Sequence, residues 1–278
     1  MDSLGLSPGS RMESFVLFGG LLLFALIETF RPLRLPNLST PQRWLNHGVL
    51  FALNTGLGTL LFRGGAVVFA AFAHDRGYGI FHRFQLPYAA QFIAGFALVD
   101  LAHYASHYSY HRIPVLWRIH RVHHADPDYD VTTGFRFHPM EALLTQALVF
   151  GLIAAFGLPA MAVLAAETVT AFQDLFEHAN IEIPARVDRF LRLLLITPNM
   201  HRVHHSVDIA EQSSNFGTIL TWWDRLFRTY TSGPAVPLDE METGLEGYPP
   251  EESLRVMDTL RMPFGSLKND VLIRQNER

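Results

Sequence analysis

The sequence predicts an all-α protein, a multi-pass membrane helical bundle with a cytoplasmic cap rich in histidine. Three observations predict this class. Of the 278 residues, 49% are hydrophobic and only 17% are charged, whereas soluble domains carry about 25% charged residues. Long uncharged stretches recur along the chain, and its mean hydropathy is +0.15. The 14 histidines concentrate beside those stretches.

The composition also excludes several classes of protein. The chain has no cysteine, which excludes disulfide scaffolds, zinc ribbons, iron–sulfur clusters and thiol nucleophiles. A net charge of −4 and a pI near 6.4 give no electrostatic basis for nucleic-acid binding. High hydrophobicity excludes an intrinsically disordered chain.

Four apolar stretches have lengths that suit membrane spans, which need roughly 17–25 mostly apolar residues. The first, SFVLFGGLLLFALI, lies between Glu13 and Glu28. We interpret it as a retained helix, because a cleaved signal peptide would have more basic residues before it and an A-x-A site after it. The second stretch, 49–73, is interrupted by Arg63, whose side chain we expect to reach the lipid headgroups. The remaining stretches after the first are 49–73, 84–99 and 142–166.

The numbers of arginines in the loops predict the orientation of the chain in the membrane. The loop 31–47 and the chain after residue 101 carry more arginine than the N-terminal tail and the loop 74–87, which places the former on the cytoplasmic side and the N-terminus outside. The predicted organisation is a transmembrane region (1–90), a di-metal domain (91–231) with a membrane hairpin at about 142–178, and a polar cytoplasmic tail (232–278).

Histidines recur at helical spacing on both sides of the fourth stretch. They occur as H-x-x-x-H repeats in HYASHYSYH and twice as the motif H-x-x-H-H, both times in the sequence HRVHH. Residues three or four apart lie on one face of a helix. Burying so many imidazoles without partners would be costly, so the pattern predicts metal binding, for which neutral imidazole is the commonest nitrogen ligand. These histidines are His103, His107, His111, His120, His123, His124, His201, His204 and His205.

The number of ligands predicts two ions, because a first-row ion takes four to six ligands and eight to ten histidines converge here. No Glu-x-x-His occurs, which excludes a soluble di-iron carboxylate bundle. The absence of H-E-x-x-H excludes the common zinc protease. Imidazole ligands suit iron and zinc alike.

Together the motifs resemble the fatty acid hydroxylase/sterol desaturase superfamily. The resemblance covers roughly residues 95–231 and rests on HYSYH, HRVHH, FRFHP, EHAN and the second HRVHH, in this order, with Asn215-Phe216-Gly217 and WWDRLFRTY closing the domain. It implies a membrane-bound, non-haem di-iron oxidoreductase that uses dioxygen to hydroxylate or desaturate a lipid C–H bond. The implied substrate is a fatty acyl chain, a sterol or hopanoid-like lipid, or an ether lipid.

The resemblance also implies the ligands. It implies two iron ions, whose sites zinc can occupy on purification, and dioxygen as co-substrate. A separate electron-donor protein is implied as well, because the sequence has no flavin or nicotinamide fingerprint. The implied metal-ligating residues are His107, His111, His120, His123, His124, His138, His178, His201, His204 and His205.

His103 and Asp100 are expected outside the ligand set. His103 and His111 lie about 12 Å apart along a helix at 1.5 Å per residue, too far for both to bind one ion with His107. The Arg-x-Pro-x-x-Trp that follows gives the register of the family box and favours His107 and His111. We therefore expect His103 to support the site from outside, hydrogen-bonded to Asp100 or to a ligand.

The fourth apolar stretch lies between His138 and His178. A single crossing would place these two histidines on opposite sides of the membrane, so they could not share a site. The stretch is therefore predicted to be a hairpin that turns near Gly157-Leu158-Pro159.

Two other functions compete with lipid oxidation. A histidine-rich membrane protein could bind or transport metal without oxidoreductase activity, but transporters place their ligands inside spans near the midplane, and here the histidines lie among arginine-rich segments. A b-type cytochrome needs only two axial histidines, fewer than the two H-x-x-H-H motifs supply.

Overall fold

The computed structural model describes residues 8–62, 65–84 and 86–265. Within these residues the chain forms α-helices, short 3₁₀ helices and three isolated β-bridges, but no strand, which confirms the all-α class. The α-helices are α1 (Pro8–Phe30), α2 (Thr40–Leu61), α3 (Gly65–Asp75), α4 (Tyr88–Arg112), α5 (Pro114–His124), α6 (Pro139–Phe156), α7 (Ala160–Glu177), α8 (Ala185–Leu191), α9 (Pro198–His204), α10 (Ile209–Gln212), α11 (Trp222–Phe227) and α12 (Val256–Arg261). The 3₁₀ helices are Ile80–Arg83, Val131–Phe135, Pro250–Leu254 and Met262–Phe264.

Among the described residues, three stretches are long and apolar enough to cross a membrane: Met12–Phe30, Thr40–Arg83 and Pro139–Phe156. Their outer faces carry large exposed apolar side chains, such as Phe15 on α1, which is 79% exposed. Exposed apolar surface of this extent marks a membrane or partner contact. The multi-pass helical bundle is therefore confirmed, and the side that faces the cytoplasm stays a prediction.

The structure differs from the sequence prediction at the third apolar stretch. Residues 86–99 fall in and just before the first half of α4, whose second half carries the histidines and the buried Asp100. This helix is not among the three stretches apolar enough to cross a membrane. Arg63, expected at the headgroups, lies outside the described residues.

The fourth apolar stretch is interrupted between α6 and α7, and the membrane hairpin expected over about 142–178 stays a prediction. Helix α6 ends at Gly157, which has a φ of +68° in the left-handed region that favours glycine. A Cβ there would lie 2.0 Å from the Tyr78 carbonyl oxygen. At the other end of these helices, Glu141 of α6 contacts His120 and His178 after α7 contacts His123. The start of α6 and the end of α7 thus reach one cluster of histidines.

The apolar core holds the helices that carry this cluster. Small and branched side chains of α3, α4, α6 and α7 form one buried group, which includes Ala70, Val99, Ile153 and Val163. This core fixes α4 against α7, so the polar faces of both helices meet at the cluster.

The C-terminal segment packs against the back of α5. The Arg121 guanidinium donates to the carbonyl oxygen of Gly265 at 2.6 Å, and Arg136 donates to that of Ser253 at 2.9 Å. Asn46 of α2 also donates to Ser253, at 2.6 Å. The described part of the predicted tail is therefore bound to the helices, and residues 266–278 lie outside the described part.

Candidate metal centre

Nine buried or half-buried histidines form two adjoining groups that could each hold a metal ion. Within each group the candidate ligand nitrogens all lie within 4.8 Å of one another. We call them group one and group two. Group one comprises His107, His111, His120, His124 and His204, and group two comprises His123, His178, His201 and His205.

Each H-x-x-H-H motif supplies both groups. On α5, His120 and His124 are one turn apart and face group one, while the intervening His123 faces group two. The second motif, on and just after α9, has the converse arrangement, because His201 and His205 belong to group two and His204 belongs to group one. Helix α4 adds two candidate ligands, His107 and His111, to group one, and His178 after the end of α7 completes group two.

The Nε2 atoms converge in both groups. In group one, Nε2 of His124 lies 3.1 Å from that of His111 and 3.2 Å from that of His120. In group two, Nε2 of His178 lies 3.1 Å from that of His123 and 3.2 Å from that of His201. Contacts this short between ring nitrogens are unfavourable unless a proton or a cation lies between them.

A hydrogen bond at Nδ1 determines whether Nε2 of the same ring carries a proton or a free lone pair. Nδ1 of His107 lies 2.9 Å from the Phe216 carbonyl oxygen, and Nδ1 of His204 lies 2.7 Å from that of Ser214. A carbonyl oxygen only accepts, so each Nδ1 carries the proton and each Nε2 presents a lone pair to group one. Both of these Nε2 atoms are buried without a hydrogen-bond partner.

His120 and His178 are oriented in the same way. Nδ1 of His120 lies 2.6 Å from a carboxylate oxygen of Glu141, and Nδ1 of His178 lies 2.6 Å from the Asp174 carbonyl oxygen. A ligand histidine held through its second nitrogen by a carboxylate or a carbonyl is the usual arrangement around a bound metal.

The protonation state also fits a metal site. Burial lowers the pKa of His120 to about 3. It also lowers the pKa values of His123, His124, His204 and His205 well below their usual value. Neutral imidazole is the form that binds metal. Neutral rings with converging nitrogen atoms fit the binding of one metal ion in each group.

His138 lies apart from both groups, contrary to the ligand role that the family resemblance implies. It caps the start of α6, where its Nδ1 accepts from the backbone N–H of Met140 at 3.1 Å. Its Nε2 lies 3.3 Å from the Leu260 carbonyl oxygen. Both ring nitrogens are thus engaged in holding the chain, and neither is free to bind a metal.

Asp100 and His103 also lie outside the two groups, and the contacts of each differ from the expected bond of His103 to Asp100 or to a ligand. Asp100 accepts from the Trp223 indole N–H at 2.8 Å and from the backbone N–H of Ile219 at 3.1 Å. His103 instead faces α7, with Nε2 3.8 Å from a carboxylate oxygen of Glu167. Asp100 therefore anchors the closing segment of the domain.

Sequence reasoning missed the carboxylates around the centre. Glu141 holds His120, and a carboxylate oxygen of Glu177 lies 3.7 Å from Nε2 of His201. Both are buried, and neither has the Glu-x-x-His spacing of di-iron carboxylate bundles. A signal was present, since Glu141 lies three residues after His138 at the edge of the fourth apolar stretch and Glu177 directly precedes His178.

A cavity of about 180 Å³ adjoins both groups. It lies between α4, α6 and α7, and members of each group line it, among them His107 and His120 of group one and His123 and His201 of group two. A molecule in this cavity would contact the metal centre directly.

Comparison with known proteins agrees with this geometry. A family model for fatty acid hydroxylase matches residues 92–229. Residues 92–229 belong to the fatty acid hydroxylase superfamily. This domain contains all nine histidines of the two groups.

Curated relatives align over about half of the chain. The ornithine lipid hydroxylase OlsE of Rhizobium tropici is 33% identical over 150 residues, which are 54% of this chain and 44% of that protein. Alkylglycerol monooxygenase of Danio rerio is 30% identical over 163 residues (54% of this chain, 33% of that protein), and that of Homo sapiens is 26% identical over 151 residues (53% and 32%). The chain thus spans less than half the length of these relatives. No solved structure matches it.

The bond between Glu141 and His120 in the fatty acid hydroxylase domain yields a testable prediction. Glu141→Ala should weaken metal binding by about 10–100-fold, because it removes the group that orients a ligand ring. Glu141→Gln should restore most of the affinity, since its amide oxygen still accepts from Nδ1. Competition with a chelator, using zinc as the probe, measures the change. Gln146→Ala, which alters another side chain lining the cavity, is the control, and equal affinities for Glu141→Ala and this control would contradict the role.

Proposed function

We propose that this protein is a membrane-bound non-haem di-iron oxidoreductase that hydroxylates a C–H bond of a membrane lipid. The observation that carries the proposal is the pair of adjoining groups of neutral histidines, whose Nε2 lone pairs converge beside a cavity. The similarity to an ornithine lipid hydroxylase and to alkylglycerol monooxygenases supports hydroxylation rather than desaturation.

Iron is the metal that this chemistry requires, because zinc has no redox activity. When bound, two iron ions would supply the reduction of dioxygen. The overall reaction converts a substrate C–H bond, dioxygen, two electrons and two protons into C–OH and water. The electrons come from a separate one-electron carrier protein, since the sequence has no dinucleotide-binding fingerprint.

The chain itself holds and orients the reacting groups. Five histidines would hold one ion and four the other. The backbone carbonyls of Phe216 and Ser214 fix two rings of group one, and Glu141 fixes a third. The cavity positions the substrate carbon beside the centre and excludes bulk water, which protects reactive oxygen species from wasteful side reactions.

We also propose that the centre faces the cytoplasm. The arginine-rich loop 31–47 lies at the same end of the bundle as the histidines, because Arg43 at the start of α2 bonds to Asp126 just after α5. This location would let a soluble electron carrier reach the centre.

The proposal is tested in cells that express the full chain or its His124→Ala variant. With heavy-isotope dioxygen, the lipid extract of the wild type should contain a lipid that has gained one labelled oxygen atom. The variant should lack it, although both proteins reach the membrane in equal amounts. Lipid extracts that are identical in mass spectrometry, with two metal ions bound per wild-type chain, would favour the metal-binding or transport function instead.

A further inference from the structure

Two short helices of the histidine-bearing domain present an apolar surface to the outside. Seven large apolar side chains are exposed in residues 185–194, which hold α8 and the turn after it, and in residues 221–228, which hold α11. Neither segment belongs to the three stretches that could cross a membrane. We call this surface the α8–α11 patch. Its apolar members are Val187, Phe190, Leu193, Leu194, Trp222, Leu226 and Phe227.

Hydrogen bonds join the two segments into one surface. The Trp222 indole N–H donates to the carbonyl oxygen of Leu193 at 3.1 Å. The Arg225 guanidinium donates to the carbonyl oxygen of Arg192 at 3.0 Å. The exposed apolar side chains of the two segments are therefore held next to each other.

The charged groups of the patch have one sign at the surface. Every exposed side chain in these two segments is either apolar or an arginine. Both carboxylates are buried and bonded inside the protein, Asp188 to Arg192 at 2.8 Å and Asp224 to two backbone N–H groups at 2.8 Å. An apolar surface with basic groups complements the interface between hydrocarbon and anionic lipid headgroups. The exposed arginines are Arg186, Arg189, Arg225 and Arg228.

The helices around the metal centre show on which side of it the bilayer lies. Helix α6, a candidate span, begins at the centre, where Glu141 contacts His120, and leads away from it to Gly157. The starts of α4 and α7 lie at that far end too, since a Cβ on Gly95 would be 3.0 Å from the Cβ of Ala162. The bilayer therefore extends from the metal centre towards the starts of α4 and α7.

The patch is anchored on the bilayer side of the metal centre. Gln173 of α7 donates to the Ile196 carbonyl oxygen at 2.6 Å, and it precedes the candidate ligand His178 by five residues, about 7.5 Å along the helix. Asp100 of α4, which accepts from Trp223, precedes the first candidate ligand of that helix by seven residues, about 10 Å. Interfacial helices bury their apolar faces about 5–10 Å into the boundary between headgroups and acyl chains, which is the depth found here. A soluble protein that binds the cap would not reach it.

We propose that the α8–α11 patch is a second membrane contact besides the spans. Its apolar side chains enter the leaflet nearer the metal centre, and its arginines bind anionic lipid headgroups. This contact holds the metal centre at the level of the headgroups. It goes beyond the proposed function and does not depend on the reaction at the centre.

Single cysteines in this cysteine-free chain measure the contact. Phe190→Cys and Leu226→Cys each receive a fluorophore, and the full-length protein is placed in nanodiscs of phosphatidylcholine and phosphatidylglycerol. Spin-labelled lipid should quench both probes to within about twofold of a probe at Phe15→Cys on the candidate span α1, and iodide in the buffer should not. Val236→Cys, at an exposed apolar residue outside the patch, should show the reverse.

Charge variants test the preference for anionic lipid. In native mass spectrometry of protein released from the nanodiscs, the wild type should retain phosphatidylglycerol over phosphatidylcholine by at least about tenfold, because each arginine near an anionic surface contributes about fivefold to binding. Arg186→Gln with Arg189→Gln should lose most of this preference. Arg255→Gln with Arg261→Gln, which alters two exposed arginines at the ends of α12, should keep it.

The opposite results would overturn the proposal. Probes at 190 and 226 that iodide quenches and lipid does not would show that the patch faces water. Probes that neither quencher reaches would show that another part of the chain or a second copy covers it. Shielding from iodide that appears only when an acidic electron-carrier protein is added would assign the patch to that partner. A preference for phosphatidylglycerol that is unchanged in Arg186→Gln with Arg189→Gln would exclude the headgroup contact.

Discussion

Replacing His123 and replacing its neighbour His124 with alanine should remove two different metal ions. His124 belongs to group one and His123 to group two, so each variant should keep about one of the two ions. Both variants should lose activity, because the proposed chemistry needs both ions. Elemental analysis of the purified proteins measures the metal content.

Double variants make this prediction sharper. His124→Ala with His204→Ala alters only group one, so this protein should still keep one ion. By contrast, His123→Ala with His204→Ala alters both groups and should keep neither. A single histidine-rich site would lose metal equally in the two double variants, which is the result that contradicts the two-group arrangement.

His138→Ala distinguishes the capping role that the structure gives His138 from the ligand role that the family resemblance implies. The resemblance implies a ligand at this position, whereas the structure places both ring nitrogens of His138 in bonds to Met140 and Leu260. We expect the His138→Ala protein to keep both ions and to be less stable, since the start of α6 loses its cap.

Local patterns in the sequence were enough to predict the all-α class and the end of a helix near Gly157. Helical spacing also predicted that the histidines converge, because residues three and four apart share a face whatever the helix packs against. The division into two groups was not predictable. It depends on how α5 and α9 pack against each other, which places His123 of one motif beside His205 of the other.

Polar contacts between residues far apart in the chain could not be predicted from the sequence either. Asp100 bonds to backbone and indole N–H groups more than a hundred residues later in the chain, and no local pattern marks such a pair. The expectation that His103 bonds to Asp100 or to a ligand followed from their closeness on one helix. The structure instead places the partner of His103 on α7, because the apolar core fixes α4 against that helix.

Replacement of Arg43 should have the largest effect on stability. Its guanidinium is 1% exposed and donates to both carboxylate oxygens of Asp126, at 2.9 and 2.6 Å, and to Asp130 at 2.6 Å. Burial alone would raise the pKa of Asp126, but the charge and hydrogen bonds of Arg43 outweigh it and hold that pKa well below its usual range. Asp126 is therefore an ionised, buried carboxylate that depends on Arg43.

Arg43→Ala leaves two carboxylates without their cation, and breaking a buried pair in this way costs about 3–5 kcal/mol of folding free energy. The loss reaches the metal centre, because Asp126 follows His124 by two residues and fixes the end of α5. We expect a lower unfolding temperature in detergent and metal loss at temperatures where the wild type keeps both ions. Arg43→Lys should fall between the two, since lysine keeps the charge but cannot bond to Asp126 and Asp130 with a planar fork. Arg31→Ala, which changes an exposed arginine, is the control and should unfold at the wild-type temperature. If Arg43→Ala also unfolds at that temperature, the ion pairs of Arg43 with Asp126 and Asp130 do not stabilise the histidine-bearing helices.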